Sequence, residues 1–271
     1  MILKWGLNQM TMRNASVIEL LNTAKRLGCE GIELRNDLGS PLFDGMSLEQ
    51  LRDEVKRRGL RILGLAEVYG FNGKDSERIR AEVRHLCAQA NSLRSEAIVL
   101  IPEIFKNPVD QKDQLNLLRV ALDLLKPIIE KSGVIALIEP LGFFNSSLQL
   151  KADAVRVLDE MGRPACYALV HDTFHHALSG EVDVFGDLTR VVHISGVDDH
   201  NCATHALTDA HRGLVAQSDR LGNLKQISLL RSQGFVGPYS FEAFSPKVHA
   251  LENPIKALLG SAEFITSALG E

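Results

Sequence analysis

The sequence predicts an α/β fold closed as a single (β/α)8 barrel, a TIM barrel spanning residues 1–271. Three observations carry this. Apolar runs of about five residues, the length of a strand, alternate eight times with stretches of helical periodicity. That alternation implies a parallel sheet covered by helices, and eight units in 271 residues fit a closed barrel better than an open sheet. The turn after the first strand, Gln9-Met10-Thr11-Met12, has no glycine, whereas a doubly wound sheet usually carries a Gly-rich first turn for a nucleotide.

The elements follow in order. Ile2 to Asn8 reads as the first strand. Ser16 caps a helix from Val17 to Leu27, with Glu19 in its first turn and Gly28 beyond its end. Gly31 to Arg35 is strand two. Ser47 opens the second helix with a Ser-x-x-Gln capping pattern, and Gly59 ends it. Leu60 to Val68 is strand three, followed by an amphipathic helix from Lys74 to Arg94. Ala97 to Pro102 is strand four. Gln111 to Ser132 is helical, with Leu115, Leu118, Leu122 and Leu125 on one stripe and Pro127 placed to kink it. Val134 to Pro140 is strand five, Leu148 to Met161 its helix, and Tyr167 to Asp172 strand six. A poorly helical segment runs to Leu188. Arg190 to Gly196 is strand seven, Asn223 to Gln233 a helix, Tyr239 to Phe244 strand eight and Asn253 to Leu269 the last helix.

Composition narrows the function. The net charge is −4 and the pI about 6.2, so nucleic acid is not an expected partner. The one dense basic run, Lys56-Arg57-Arg58, sits at a helix end, where it complements the helix dipole. Four cysteines (29, 87, 166 and 202) show no Cys-x-x-Cys spacing, which fits a reduced compartment rather than a disulfide framework. No signal peptide or membrane-length apolar run is present, so a cytoplasmic protein is expected.

Seven of the nine histidines fall between His171 and His211, three of them in His171-Asp172-Thr173-Phe174-His175-His176. In a (β/α)8 barrel, active sites lie at the C-terminal ends of the strands. Strand five ends at Ile138-Glu139-Pro140 and strand six at His171-Asp172. Strand seven contains Val192-His193-Ile194, and strand eight contains Phe241-Glu242-Ala243. Four consecutive strands thus each offer one ligand, and only barrel closure brings them together. Three carboxylates and an imidazole converging in an apolar interior repel one another unless a cation is present. Mostly oxygen donors with one nitrogen suit a single divalent ion, Mn²⁺ by preference, with Mg²⁺, Co²⁺ or Zn²⁺ also fitting. Strand alternation turns His171 away from Asp172 toward the helices, so it reads as structural. His176 reads as a bystander, and His200 and His205 as loop residues.

These motifs, Glu-Pro after strand five, Asp-x-x-His after strand six, His-Ile on strand seven and Phe-Glu on strand eight, resemble the xylose-isomerase-like barrel superfamily of sugar isomerases and epimerases. The early Asn8-Gln9, Ile32-Glu33-Leu34-Arg35 and the Asp172-Thr-Phe-His run are similar to its inositol-catabolism branch, the 2-keto-myo-inositol isomerases. The resemblance implies Glu139, Asp172, His193 and Glu242 as metal ligands, and Glu139 and Glu242 as an acid/base pair on opposite sides of the substrate. It implies substrate contacts from His175 and Arg212. Asn8, Arg35, Glu67, Phe71 and Phe143 are expected to line the pocket.

The activity implied is a divalent-metal-dependent isomerase or epimerase. It would act on a non-phosphorylated keto-sugar or keto-inositol by proton transfer through a cis-enediolate. Phosphate is not expected, because the loops Ser195-Gly196-Val197-Asp198-Asp199 and Ala243-Phe244-Ser245-Pro246-Lys247 are not Gly-rich and the first is acidic. An inosose dehydratase or hydroxypyruvate isomerase would share the first proton abstraction. The superfamily's three-metal endonucleases resemble a weaker alternative, since strands three and four end without histidine. A non-catalytic sugar-binding barrel would not need four convergent ligands. Partners are then a small sugar or inosose, with no membrane; a homo-oligomer is left open.

Overall fold

The computed structural model describes residues 3–39, 41–106 and 110–270. Eight strands close into a parallel barrel in chain order. They are β1 (Trp5–Asn8), β2 (Gly31–Arg35), β3 (Arg61–Tyr69), β4 (Ala97–Ile101), β5 (Ile135–Ile138), β6 (Tyr167–Asp172), β7 (Thr189–Ile194) and β8 (Tyr239–Phe241). The helices around them are α1 (Val17–Leu27), α2 (Leu48–Arg57), α3 (Ser76–Leu93), α4 (Gln111–Ser132), α5 (Lys151–Glu160), α6 (Thr173–Ser179), α7 (Asn223–Ser232), α8 (Pro246–His249) and α9 (Pro254–Ala268). No described helix is long and apolar enough to cross a membrane.

Local chemistry sets the boundaries. Ser16 accepts from the Glu19 amide while Glu19 returns a bond to the Ser16 amide, a reciprocal cap that starts α1; Gly28, at φ 76°, ends it. Ser47 and Gln50 form the same box on α2, as their spacing predicts. Pro127 lies within α4, which continues through it to Ser132.

Three expectations on boundaries are corrected. Strands five, seven and eight end at Ile138, Ile194 and Phe241, before the residues where their apolar runs end. Glu139 and Glu242 therefore stand just past the ladder. The stretch expected to be poorly helical begins with α6, because the Asp172 side chain accepts from the amides of Phe174 and His175 and caps it. The first strand begins at Trp5; the expected start at Ile2 lies outside the described residues.

The core has two layers. Successive strand side chains alternate between faces. Ile98, Leu100, Ala136, Ile138, Leu169, Val192 and Ile194 pack outward with Leu122 and Leu125 of α4 and Ile227 and Leu230 of α7. The opposite face builds a smaller cluster with Ala97, Val99, Leu137, Val170 and Val191. By the same alternation, this inner layer is the apolar floor from which Glu139, Asp172 and His193 rise one step further along their strands.

Candidate metal centre and active site

Glu139, Asp172, His193 and Glu242 come together as their strand positions predict. Each is buried, and one ligand atom from each lies within 4.8 Å of the others. The parallel registers produce this: Asp172 pairs with His193, and His193 with Ser240, two residues before Glu242.

His193 presents one edge to the carboxylates and the other to β2. Its Nδ1 is 3.2 Å from Glu139 Oε1, 3.1 Å from Glu242 Oε2 and 4.0 Å from Asp172 Oδ2. Its Nε2 is 3.0 Å from Glu33 Oε2. Glu33 is 1% exposed, and its role was not expected from the sequence. The usable signal was present: a carboxylate between Ile32 and Leu34 in a strand, the argument already applied to Glu242. Glu33 would hold a proton on Nε2 and leave Nδ1, which faces the carboxylates, as the nitrogen to ligate once its own proton is lost.

Arg212 is the largest fully buried side chain among the described residues. It donates through Nη2 to Asp172 and to Glu242 Oε2 (2.7 Å), through Nη1 to Asp209 (3.1 Å) and through Nε to Ser195 Oγ (3.3 Å). Its guanidinium carbon sits 4.2 Å from the centroid of Phe244 and 5.2 Å from that of Phe174. A pair of backbone bonds between Gly196 and Gly213 folds the loop after β7 back over the mouth and delivers it. Arg35 meets Asp37, Glu67 Oε2 (2.9 Å) and Glu242 Oε1 (3.2 Å). Every Arg35 side-chain nitrogen thus faces a carboxylate, and one of them braces Glu242.

Asp172 serves two purposes. Its Oδ1 caps α6 through the amides of Phe174 (2.8 Å) and His175 (2.9 Å), while Oδ2 faces Arg212 and His193. The cap places His175 at the site, its ring 5.0 Å from that of Phe143 at a steep angle. Gly142 makes this approach feasible, because a Cβ there would lie 2.1 Å from the His175 carbonyl oxygen. His175 Nδ1 and Asn8 Nδ2 are buried without a partner among the described residues, and Asn8 Oδ1 holds the Met10 amide. Glu67 is half-buried beside Arg35. Phe71 is corrected: it is fully buried in the main core cluster and is a packing residue.

His171 faces outward, as alternation predicts, with Nε2 2.8 Å from Gln226 Oε1 on α7. His176 is more than a bystander. Its Nδ1 is 2.7 Å from Lys151 Nζ, which also meets Glu181 at 2.8 Å, in a buried cluster behind the site. His200 and His205 lie exposed on the loop after β7, as expected.

Burial pushes the Glu139 carboxyl up to about 7, against the pull of His193. Burial acts on Glu242 in the same sense, but His193, Arg212 and Arg35 override it and hold Glu242 ionised well below the carboxylate range. The His193 imidazole is desolvated, yet Glu242, Glu33 and Glu139 raise it well above its usual value. Burial keeps His175 neutral by lowering its pKa. Seven carboxylates (Glu33, Asp37, Glu67, Glu139, Asp172, Asp209 and Glu242) thus surround two guanidiniums and one imidazole. The surplus negative charge and the N1O3 donor set fit a hard or borderline divalent cation.

From residue 21 to residue 268 the chain matches the family described as xylose isomerase-like TIM barrel. No curated protein matches it. Among solved structures it is similar to a xylose isomerase domain-containing protein from Salmonella typhimurium LT2, 27% identical over 99% of this chain and 97% of that one, with TM-score 0.85. An IolI protein with a bound zinc atom is 21% identical over 98% of each chain, with TM-score 0.83. D-allulose 3-epimerase from Methylomonas sp., in complex with D-allulose, is 18% identical over 98% of this chain and 95% of that one, with TM-score 0.70. With its closed eight-strand barrel and a family match over most of its length, the chain belongs to the xylose isomerase-like TIM barrel family.

Proposed function

We propose that the protein is a divalent-metal-dependent isomerase or epimerase of a non-phosphorylated keto-sugar or keto-inositol, with 2-keto-myo-inositol as the best-fitting substrate. The observation that carries this is the convergence of Glu139, Asp172, His193 and Glu242, buried at the barrel mouth with ligand atoms within 4.8 Å. The zinc atom in the IolI relative supports a metal here, and the D-allulose in the epimerase relative supports a free keto-sugar.

A divalent ion held by these four side chains would polarise the substrate carbonyl and acidify the neighbouring C–H. The protein's own groups do the rest. Glu139 and Glu242 form the acid/base pair, one from each side of the substrate. One carboxylate takes the proton from the carbon bearing the hydroxyl, and the electron pair moves toward the carbonyl oxygen to give a cis-enediolate. Arg212, held in a water-poor setting by Phe174 and Phe244, offsets that charge. For isomerisation the proton returns at the other carbon while the hydroxyl proton passes to the former carbonyl oxygen; for epimerisation it returns to the same carbon on the other face. Neutral His175 and the Asn8 amide have unpaired polar atoms suited to sugar hydroxyls. Arg35 and Glu67 shape the opposite wall, and Arg35 orients Glu242.

Incubation with 2-keto-myo-inositol in deuterated water tests the reading. The metal-loaded protein is expected to introduce deuterium at carbon and to yield an isomeric inosose. Release of water to a dione would instead identify a dehydratase, and absence of exchange with any keto-sugar would overturn the proposal.

A further inference from the structure

The loop between β7 and α7 carries a second convergence of ligands. One atom each from Asp199, Cys202 and His211 lie within 4.8 Å of one another, and all three residues are half-buried. We propose that they form a second metal site, chemically distinct from the centre in the barrel, that takes Zn²⁺ or another thiolate-accepting divalent ion.

The loop is built to hold these residues. Asp199 Oδ1 accepts from the amides of Asn201 (2.9 Å) and Cys202 (3.2 Å), which folds Cys202 back onto it. The Arg220 guanidinium then grips the carbonyl oxygens of both Asp199 and Cys202, and Thr204 Oγ1 at 3.1 Å. His211 closes the 3-10 turn Asp209–His211, and its Nδ1 lies 3.1 Å from both the amide and the hydroxyl of Thr208. Nε2 remains for a ligand; Nδ1 accepts from the Thr208 amide, and binding through Nε2 exchanges that bond for donation from Nδ1–H to the Thr208 hydroxyl (3.1 Å) or carbonyl (3.2 Å). A cavity of about 300 Å³, lined in part by Asp199, His211 and Lys247, leaves an approach from solvent.

The donor set selects the ion. Thiolate, imidazole and one carboxylate, with a fourth position open to water, is a tetrahedral zinc arrangement, whereas hard ions such as Mg²⁺ disfavour sulfur. Zinc bonds of about 2.0 Å to nitrogen or oxygen and about 2.3 Å to sulfur put ligand atoms roughly 3.3–3.8 Å apart. The three side chains therefore need close by no more than about 1.5 Å to engage the ion. Of the four cysteines, Cys29, Cys87 and Cys166 are buried, and only Cys202 is half-exposed. His211 adjoins Arg212, so an ion here would staple the segment that delivers Arg212 to the barrel mouth.

Cobalt titration of the reduced full-length protein separates the two sites, because the barrel centre has no sulfur donor. Wild-type protein is expected to give a thiolate-to-cobalt charge-transfer band in the near ultraviolet. Cys202→Ser should abolish the band and lower total bound metal by one equivalent, and His211→Gln should weaken both. Glu139→Gln, aimed at the barrel centre, should leave the band intact, so failure of the proposed function and failure of this site give different results. Should either loop variant fold poorly, labelling of wild-type protein with a thiol reagent decides the matter: zinc in excess of two equivalents, enough to fill both centres, should slow modification of Cys202 at least tenfold. No band in wild type, a band that survives Cys202→Ser, or labelling unchanged by zinc each overturns the proposal.

Discussion

Glu33 and His193 are 160 residues apart in sequence, yet Glu33 Oε2 lies 3.0 Å from His193 Nε2, both side chains buried in the barrel. When the imidazole gives up a proton to bind a metal, this carboxylate favours keeping the remaining one on Nε2 and presenting Nδ1. Glu33→Gln should weaken divalent-metal binding by roughly 10–100-fold, the range for partners that orient a ligating histidine. Calorimetric titration measures it directly. An unchanged affinity would mean that Glu33 is only a packing residue.

Glu139→Gln and Glu242→Gln should each lower carbon–hydrogen exchange with deuterated water by about 10²–10⁴-fold, the usual contribution of a positioned acid or base. Each variant must be metal-loaded before comparison, since both residues also sit in the donor cluster. Normal exchange in either loaded variant would falsify its assignment as a proton-transfer group.

Metal binding should depend on pH because of Glu139. Its carboxyl is pushed up to about 7 by burial in the metal-free protein, and a ligating carboxylate must be ionised. Affinity is therefore expected to fall with acid by up to about tenfold per unit below about 7 on account of Glu139 alone, and to keep rising above it as the raised His193 imidazolium gives up its own proton. Proton release on binding, followed in buffers of different ionisation enthalpy, reads the same group. A flat profile between pH 5 and about 7 would exclude Glu139 as the controlling proton site.

The Lys151, Glu181 and His176 cluster predicts acid sensitivity. Burial and the nearby Lys151 lower His176 from 6.5 to about 3, and His171 is also driven well below its usual value by burial. The unfolded chain binds these protons while the folded chain excludes them. Stability is then complete above about pH 6.5 and declines as pH falls below it, for His176 down to about 3, at up to about 1.4 kcal/mol per pH unit for each histidine. His176→Gln should flatten that slope in urea unfolding series. Parallel slopes for variant and wild type would count against the cluster.

Gly142→Ala should cost roughly 1–3 kcal/mol as an overpacking change, since the added methyl would lie 2.1 Å from the His175 carbonyl. Relief requires α6 to shift, so KM for the substrate should rise together with the drop in thermal stability. A variant with wild-type KM would show that His175 does not depend on this contact.

Much of this was legible in the sequence for a physical reason. A barrel repeats one unit, so strand-length apolar runs announce it eight times, most of them followed by an amphipathic stretch. The candidate ligands Glu139, Asp172, His193 and Glu242 stood out because a charged or polar group inside or just after an apolar run is costly without a partner. Glu33 carried the same signal, but it lies on β2, away from the four consecutive strands that drew attention. Helix α6 was missed because seven residues are too few for periodicity to emerge, and because the residue that caps it, Asp172, had already been read as a ligand. The buried pairing of Lys151 with His176 joins residues 25 apart, and no local pattern announces that contact.

Asp172 shares out its two oxygens, one to the amides that begin α6 and one to the cluster of charges. The carboxylate is planar and rigid, so it behaves as a lever with a short arm at each end. A pull on Oδ2 is transmitted to Oδ1, and from there to the turn that carries His175. On the proposed function, loading the centre and seating His175 against the substrate would be mechanically one event. The amide protons of Phe174 and His175 become a built-in gauge of it: their solvent exchange should slow when the centre fills, before any substrate arrives.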